Sequence, residues 1–176
     1  MGKIMTAKYC RENKIPYLGL CLGMQVMCVE FARHVLKLQD ANSTEMDPKT
    51  PHPVISLLSE QQGVEDKGGT MRLGTFDCNL KPGTKAEKAY GKTQVAERHR
   101  HRFEFNNKFK DQFEKNGLVI SGILHNNSLC EITEVKDHPW MVGVQFHPEF
   151  KSKPGQPHPL FRGFIEAALK YKKIHG

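Results

Sequence analysis

The sequence predicts an α/β fold, a mixed, mostly parallel open sheet with helices packed against it. Three observations carry that prediction. The element order reads helix, strand, helix, a run of strands and a closing helix. A short apolar strand turns into an amphipathic helix through Gly19-Leu20-Cys21-Leu22-Gly23. Short apolar runs are spread evenly through 176 residues, enough for one domain with its own core.

Residues 4–13 are expected to form a short helix, and residues 15–20 a buried strand. Across residues 22–38, Met24, Met27, Phe31, Val35 and Leu38 recur at three- and four-residue steps, the period of a helix with one buried face. Residues 40–53 are polar and carry three prolines, which predicts a long loop before a strand at 54–58. Residues 61–69 read as a polar, glycine-rich loop, and 71–80 and 93–105 as strands. Residues 106–116 form an amphipathic helix stopped at Gly117. Residues 118–124, 129–135 and 140–146 are three closing strands. A turn at 155–159 leads into a last helix at 160–172, with Leu160, Phe161, Phe164, Ile165, Ala168 and Leu169 on its apolar face. No repeat, low-complexity tract or linker divides the chain, so residues 1–176 read as one domain.

Composition narrows the class. No stretch approaches the roughly 20 apolar residues of a membrane helix, and residues 1–11 lack the apolar core of a signal peptide. The five cysteines are irregularly spaced and form no C-x-x-C pair, which argues against disulfide frameworks and zinc ribbons and for a reducing cytoplasm. The net charge of +7 is scattered except at residues 98–102. Aromatic interleaving there is limited to Phe103 and Phe105, so neither nucleic acid nor membrane is an expected partner. Arg98, Arg100 and Arg102 alternate with His99 and His101, as the exposed side of a strand would. The two histidines lack further ligands at metal spacing, so no metal site is expected.

Cys21 carries the chemistry. A thiol between Gly19 and Gly23 at a strand-to-helix corner is a cysteine form of the nucleophile elbow. Downstream, Val144-Gln145-Phe146-His147-Pro148-Glu149 places a histidine and a carboxylate two residues apart after another strand. If the two strands are parallel neighbours, their carboxyl ends share one sheet edge, and residues 126 apart can meet there. The helix opening at Leu22 aims free N–H groups at the thiol, which is expected to lower its pKa. His147 can take the proton, Glu149 can orient the imidazole, and the Leu22 N–H can serve an oxyanion.

Gly19-Leu20-Cys21-Leu22-Gly23-Met24-Gln25 together with Phe146-His147-Pro148-Glu149 resembles the class I (triad) glutamine amidotransferases, whose sheet is flavodoxin-like. Three further segments resemble the CTP synthases within that class. They are Asp40-Ala41-Asn42-Ser43-Thr44-Glu45, Gly68-Gly69-Thr70-Met71-Arg72-Leu73-Gly74 and Glu97-Arg98-His99-Arg100-His101-Arg102-Phe103-Glu104. The likeness runs from Gly2 to about Ala168. It implies glutamine hydrolysis through a cysteinyl thioester, with Cys21 as nucleophile, His147 as base and Glu149 as its orienter. It implies that Leu22, Gly23, Met24 and Gln25 line the glutamine site. Glu45 would accept the substrate's α-ammonium, and Arg102 would hold its α-carboxylate.

The resemblance also implies a parent ligase that aminates UTP to CTP. That parent would have a synthetase domain using ATP and Mg²⁺, GTP as allosteric activator, and a homotetrameric assembly. No P-loop occurs in this chain. The domain is expected to lack its N-terminal strands and a glycine-rich loop supplying the second oxyanion donor. Two alternatives stand beside this reading. One is a catalytically impaired regulatory or binding fragment of the same fold. The other is an amidotransferase of another pathway, such as GMP or anthranilate synthesis.

Overall fold

The computed structural model describes residues 2–57, 71–124 and 129–175. The glycine-rich loop expected at 61–69 lies outside these residues, as do Gly68, Gly69 and Thr70. The chain opens with α1 (Gly2–Glu12), β1 (Tyr17–Leu20) and α2 (Leu22–His34). Next come two short strands, β2 (Ala41–Ser43) and β3 (His52–Ser56). The middle consists of β4 (Arg72–Leu80), α3 (Lys85–Tyr90), β5 (Gln94–His101), β6 (Glu104–Phe105) and α4 (Lys110–Lys115). The chain closes with β7 (Leu118–Leu124), β8 (Cys130–Val135), β9 (Met141–Val144) and α5 (Pro159–His175).

The strands form a six-stranded sheet, ordered β1-β9-β8-β7-β4-β5, and a three-stranded sheet, ordered β2-β3-β6. The architecture is the expected α/β type with a mixed sheet, but its balance differs from the expectation. Parallel pairing joins only β1 to β9 and β2 to β3 among the described residues. The β4–β5, β4–β7, β7–β8, β8–β9 and β3–β6 ladders are antiparallel. The reason is connection length: β8 and β9 are joined by a short turn, which permits only an antiparallel return.

Helices cover both faces of the large sheet. On one face, Met24, Met27 and Phe31 of α2 pack with Ile120, Cys130 and Met141. On the other, Leu160 of α5 and Ala86 of α3 pack with Ile132, Val142 and Val144. Every residue of β8 and β9 is buried, as befits strands covered on both sides. The α5 stripe is narrower than its sequence suggests. Leu160, Phe164 and Ala167 turn inward, while Ile165 and Leu169 lie more than a third of a turn away and are exposed.

Several boundaries moved, and α2 ends at His34, four residues short of the expected 38. The loop expected at 40–53 contains β2, which parallel pairing with β3 extends despite its polar residues. The single strand expected at 93–105 breaks after His101, and Glu104–Phe105 joins the small sheet instead. Helix α3 falls where no element was expected. Thr84 accepts a hydrogen bond from the Glu87 N–H at its start, and Gly91 closes it at φ 66°.

Gly19 lets β1 and α2 meet closely. A Cβ there would sit 2.6 Å from the Gly23 carbonyl carbon, so no other residue fits without moving the helix. Gly143 on β9 plays a similar part beneath Met24, at 3.0 Å. Together they seat the start of α2 directly over the ends of β1 and β9.

Candidate active site

Cys21 follows β1 directly and has a backbone φ of 46° and ψ of −101°. L-residues avoid that region, so the turn must be held by its surroundings. Its own N–H donates to the Val144 carbonyl of β9 at 2.7 Å, and its carbonyl accepts from the Gln25 N–H at 3.2 Å. The pairing of Leu20 with Val144 brings the carboxyl ends of β1 and β9 to one edge, as expected. Cys21 and His147, distant in sequence, therefore leave adjacent parallel strands at the same end.

Burial pushes the Cys21 thiol up. The Leu22 N–H and the Gln145 amide donate to the sulfur and pull it down, while the Glu149 and Glu104 carboxylates push it up. This corrects the expectation of a lowered pKa: desolvation of the half-buried sulfur outweighs the helix-terminal donor. Forming the thiolate then calls for a base close by.

His147 has the partner a base needs. Its Nδ1 donates to Glu149 Oε1 at 2.6 Å, so the proton sits on Nδ1 and Nε2 is the basic nitrogen. Glu149 stands on a one-turn 3₁₀ helix, Pro148–Lys151, that begins right after the histidine. The His147 N–H donates to the Arg98 carbonyl at 2.8 Å, anchoring the segment to β5. Phe150 packs against the imidazole, with ring centres 5.3 Å apart.

A cleft of about 440 Å³ opens beside the thiol. Its walls include Cys21, Leu22, Gln25, Glu45, Arg100 and Arg102. The Glu45 carboxylate and the guanidiniums of Arg100 and Arg102 thus share a cavity with the sulfur. Glu45 follows β2, and its N–H donates to Ser43 Oγ at 3.2 Å. Arg102 lies where the chain leaves β5 for β6, and its Nε is buried without a hydrogen-bond partner among the described residues. Gly23 and Met24 stand apart from this wall. Met24 is fully buried in the core, and the Gly23 carbonyl accepts from Tyr17 Oη at 2.8 Å. Helical periodicity explains the split: Leu22 and Gln25 share a face three residues apart, and Met24 points away from it.

Two sets of residues went unnoticed in the sequence. Gln145, fully buried between β9 and His147, donates from Nε2 to Cys21 Sγ at 3.7 Å. Its only signal was a polar residue in an apolar run. The second set is a charged cluster behind the cleft. Arg72 donates to Glu104 at 3.0 Å and to Glu131 at 2.7 Å. His99 and His101 lie in the same cluster, with Nδ1 of the first 2.9 Å from Nε2 of the second. Arg98 and Arg100 face outward, as the alternation predicted, and the intervening histidines face inward. Among the described residues, no group of histidine, cysteine and acidic side chains could hold a metal ion. Nor is any described helix long and apolar enough to cross a membrane.

The model of the family described as "Glutamine amidotransferase class-I" matches residues 1–167. The chain is 68% identical to a CTP synthase of Protochlamydia amoebophila over 177 aligned residues, which take in 100% of the chain and 33% of that relative. It is 60% identical to a CTP synthase of Moorella thermoacetica, over 96% of the chain and 32% of the relative. The chain therefore spans about a third of the length of these relatives. Among solved structures, the glutaminase domain of Trypanosoma brucei CTPS with bound acivicin superposes with a TM-score of 0.90 at 36% identity. That match covers 96% of this chain and 66% of the other.

Proposed function

The chain belongs to the class-I glutamine amidotransferase family, and on that footing we propose that it hydrolyses the side-chain amide of L-glutamine and supplies the ammonia for conversion of UTP to CTP. The observation that carries the proposal is the single cleft in which Cys21, Glu45 and Arg102 meet. Glutamine has an amide at one end and a zwitterion at the other. This cleft offers a nucleophile for the first and charges of both signs for the second.

In the proposed reaction, His147 Nε2 takes the proton from Cys21 Sγ, and the thiolate attacks the amide carbon. The oxyanion of the tetrahedral intermediate meets the Leu22 N–H. The C–N bond breaks as His147 returns the proton to the departing nitrogen, leaving a thioester and ammonia. A water molecule, deprotonated by His147, attacks the thioester carbon and releases glutamate, restoring the thiol. Glu149 holds the imidazole in the tautomer that each step needs, through its 2.6 Å bond to Nδ1.

The proposal extends to the parent enzyme on the strength of 68% identity to a CTP synthase. ATP and Mg²⁺ would serve a synthetase portion, GTP would activate the whole, a homotetramer is the proposed assembly and the cytoplasm the proposed compartment.

Recognition gives a direct test. L-glutamine is expected to protect Cys21 from alkylation, read by mass spectrometry. Glu45→Ala and Arg102→Ala should each raise the glutamine concentration needed for half-protection. A charged hydrogen bond worth about 1.5–3 kcal/mol corresponds to roughly ten- to a hundredfold. Unchanged protection in both variants would remove these residues from the site.

A further inference from the structure

Gln145 is a buried amide at a position where packing asks only for volume. Its side chain is fully enclosed, and its neighbours along the strand, Val144 and Phe146, are fully buried apolar residues. A buried amide is unfavourable unless both its ends find partners. Here they do. Nε2 reaches Cys21 Sγ at 3.7 Å, and Oε1 accepts from Gln25 Nε2 at 3.5 Å. Gln25 Nε2 also donates to the Phe103 carbonyl at 3.0 Å.

The direction of this chain follows from one group. A backbone carbonyl can only accept, so Gln25 must present its nitrogen to Phe103. The same nitrogen faces Gln145, which must then present its oxygen. That leaves the Gln145 nitrogen, a donor, for the sulfur. A donor aimed at Sγ favours the thiolate over the thiol.

We propose that Gln145, held in register by Gln25 and the Phe103 carbonyl, is a thiolate-stabilising residue that positions the Cys21 sulfur. The inference rests on the function proposed above and adds a residue to it. It also joins the sulfur to the peptide that follows Arg102, linking the nucleophile to the wall that grips the substrate.

The test is the pH profile of Cys21 alkylation by iodoacetamide, resolved for each cysteine by mass spectrometry. Gln145→Met keeps the volume and removes the donor. Its Cys21 should alkylate about tenfold more slowly near neutral pH, with the inflection displaced upward by about one unit. Well above both inflections the rates should converge. Gln25→Met leaves Gln145 in place but frees its orientation, and should shift the profile the same way by a smaller amount. Unchanged profiles in both variants would overturn the proposal, as would a slowing in Gln145→Met that is equal at every pH. Should Gln145→Met fail to fold, Gln25→Met decides: an upward shift supports the proposal and an unmoved profile overturns it. The underlying function fails separately, if wild-type Cys21 reacts no faster than Cys10, Cys28, Cys78 and Cys130.

Discussion

Cys21→Ala is expected to reduce ammonia release from glutamine by about 10⁴-fold or more, to the level set by binding alone. The substitution removes the sulfur that forms the thioester in the proposed reaction, and alanine is small enough to leave the turn at φ 46° otherwise unaltered. His147→Ala should cost nearly as much, because without a base the buried thiol stays protonated. The double variant should lose little more than either single one, since the two act as a unit. Glu149→Gln should lose less, as it keeps the histidine in place but weakens control of its tautomer. The measurement is steady-state ammonia release at saturating glutamine. In the proposed parent enzyme, CTP formation from added ammonia should survive all three changes. Residual glutamine hydrolysis within tenfold of wild type in Cys21→Ala would show that the nucleophile lies elsewhere.

The second large effect concerns stability. Arg72→Met is expected to destabilise the fold by about 3–5 kcal/mol, read as a lower urea midpoint. Arg72 is the cation between Glu104 and Glu131, both almost fully buried. Removing it leaves two acidic side chains in a dry interior without the cation that both of them bond. The same cluster fixes the response to pH. Burial pushes His99 down to about 2 and His101 down to about 3, and pushes Glu104 up to about 8. Below about pH 6.5 the unfolded chain binds two imidazole protons that the folded chain refuses, so stability falls with acid. Between about pH 4.5 and 8 the folded chain keeps a Glu104 proton that the unfolded chain has lost, so that contribution falls with base. Glu131, also pushed up by burial, adds to the fall with base, and His138, pushed down by burial, adds to the fall with acid, so stability rises with pH up to about the free imidazole pKa and falls above it. Urea midpoints across pH should therefore peak near the middle sixes. A profile flat from pH 5 to 8 would contradict the assignment.

The parts of the fold legible in the sequence are those governed by local chemistry. Gly19 and Gly23 announced a tight strand-to-helix corner, and the corner is there because a Cβ on Gly19 would strike the Gly23 carbonyl carbon. The pairing of His147 with Glu149 was legible because two residues of separation leave few other geometries. The inward histidines and outward arginines of β5 followed from alternation alone. What stayed hidden depends on distant partners. Without the family resemblance Glu45 reads as an ordinary polar loop residue, and the pairing of β2 with β3 is what sets its loop beside Cys21. Arg72, Glu104 and Glu131 are separated by 32 and 59 residues from arginine to each acid, too far for any pattern to suggest a shared charge. The direction of strand pairing was misjudged because apolar run length says how deeply a strand is buried, not which way its neighbour runs.

The break between β5 and β6 gives the cleft an unusual origin. Cys21 stands on the large sheet, Glu45 extends from the small one, and Arg102 lies where the chain crosses between them. The site is therefore built on a seam. In the proposed reaction, the distance from sulfur to zwitterion grip is the length of the substrate's side chain. Seam width then works as a ruler, counting the carbons between amide and α-carbon. Asparagine, one methylene shorter, would leave its amide short of the sulfur whenever its charged end was seated. Selectivity for glutamine becomes a property of how two sheets are spaced, and any contact that holds that spacing, however far from the thiol, takes part in choosing the substrate.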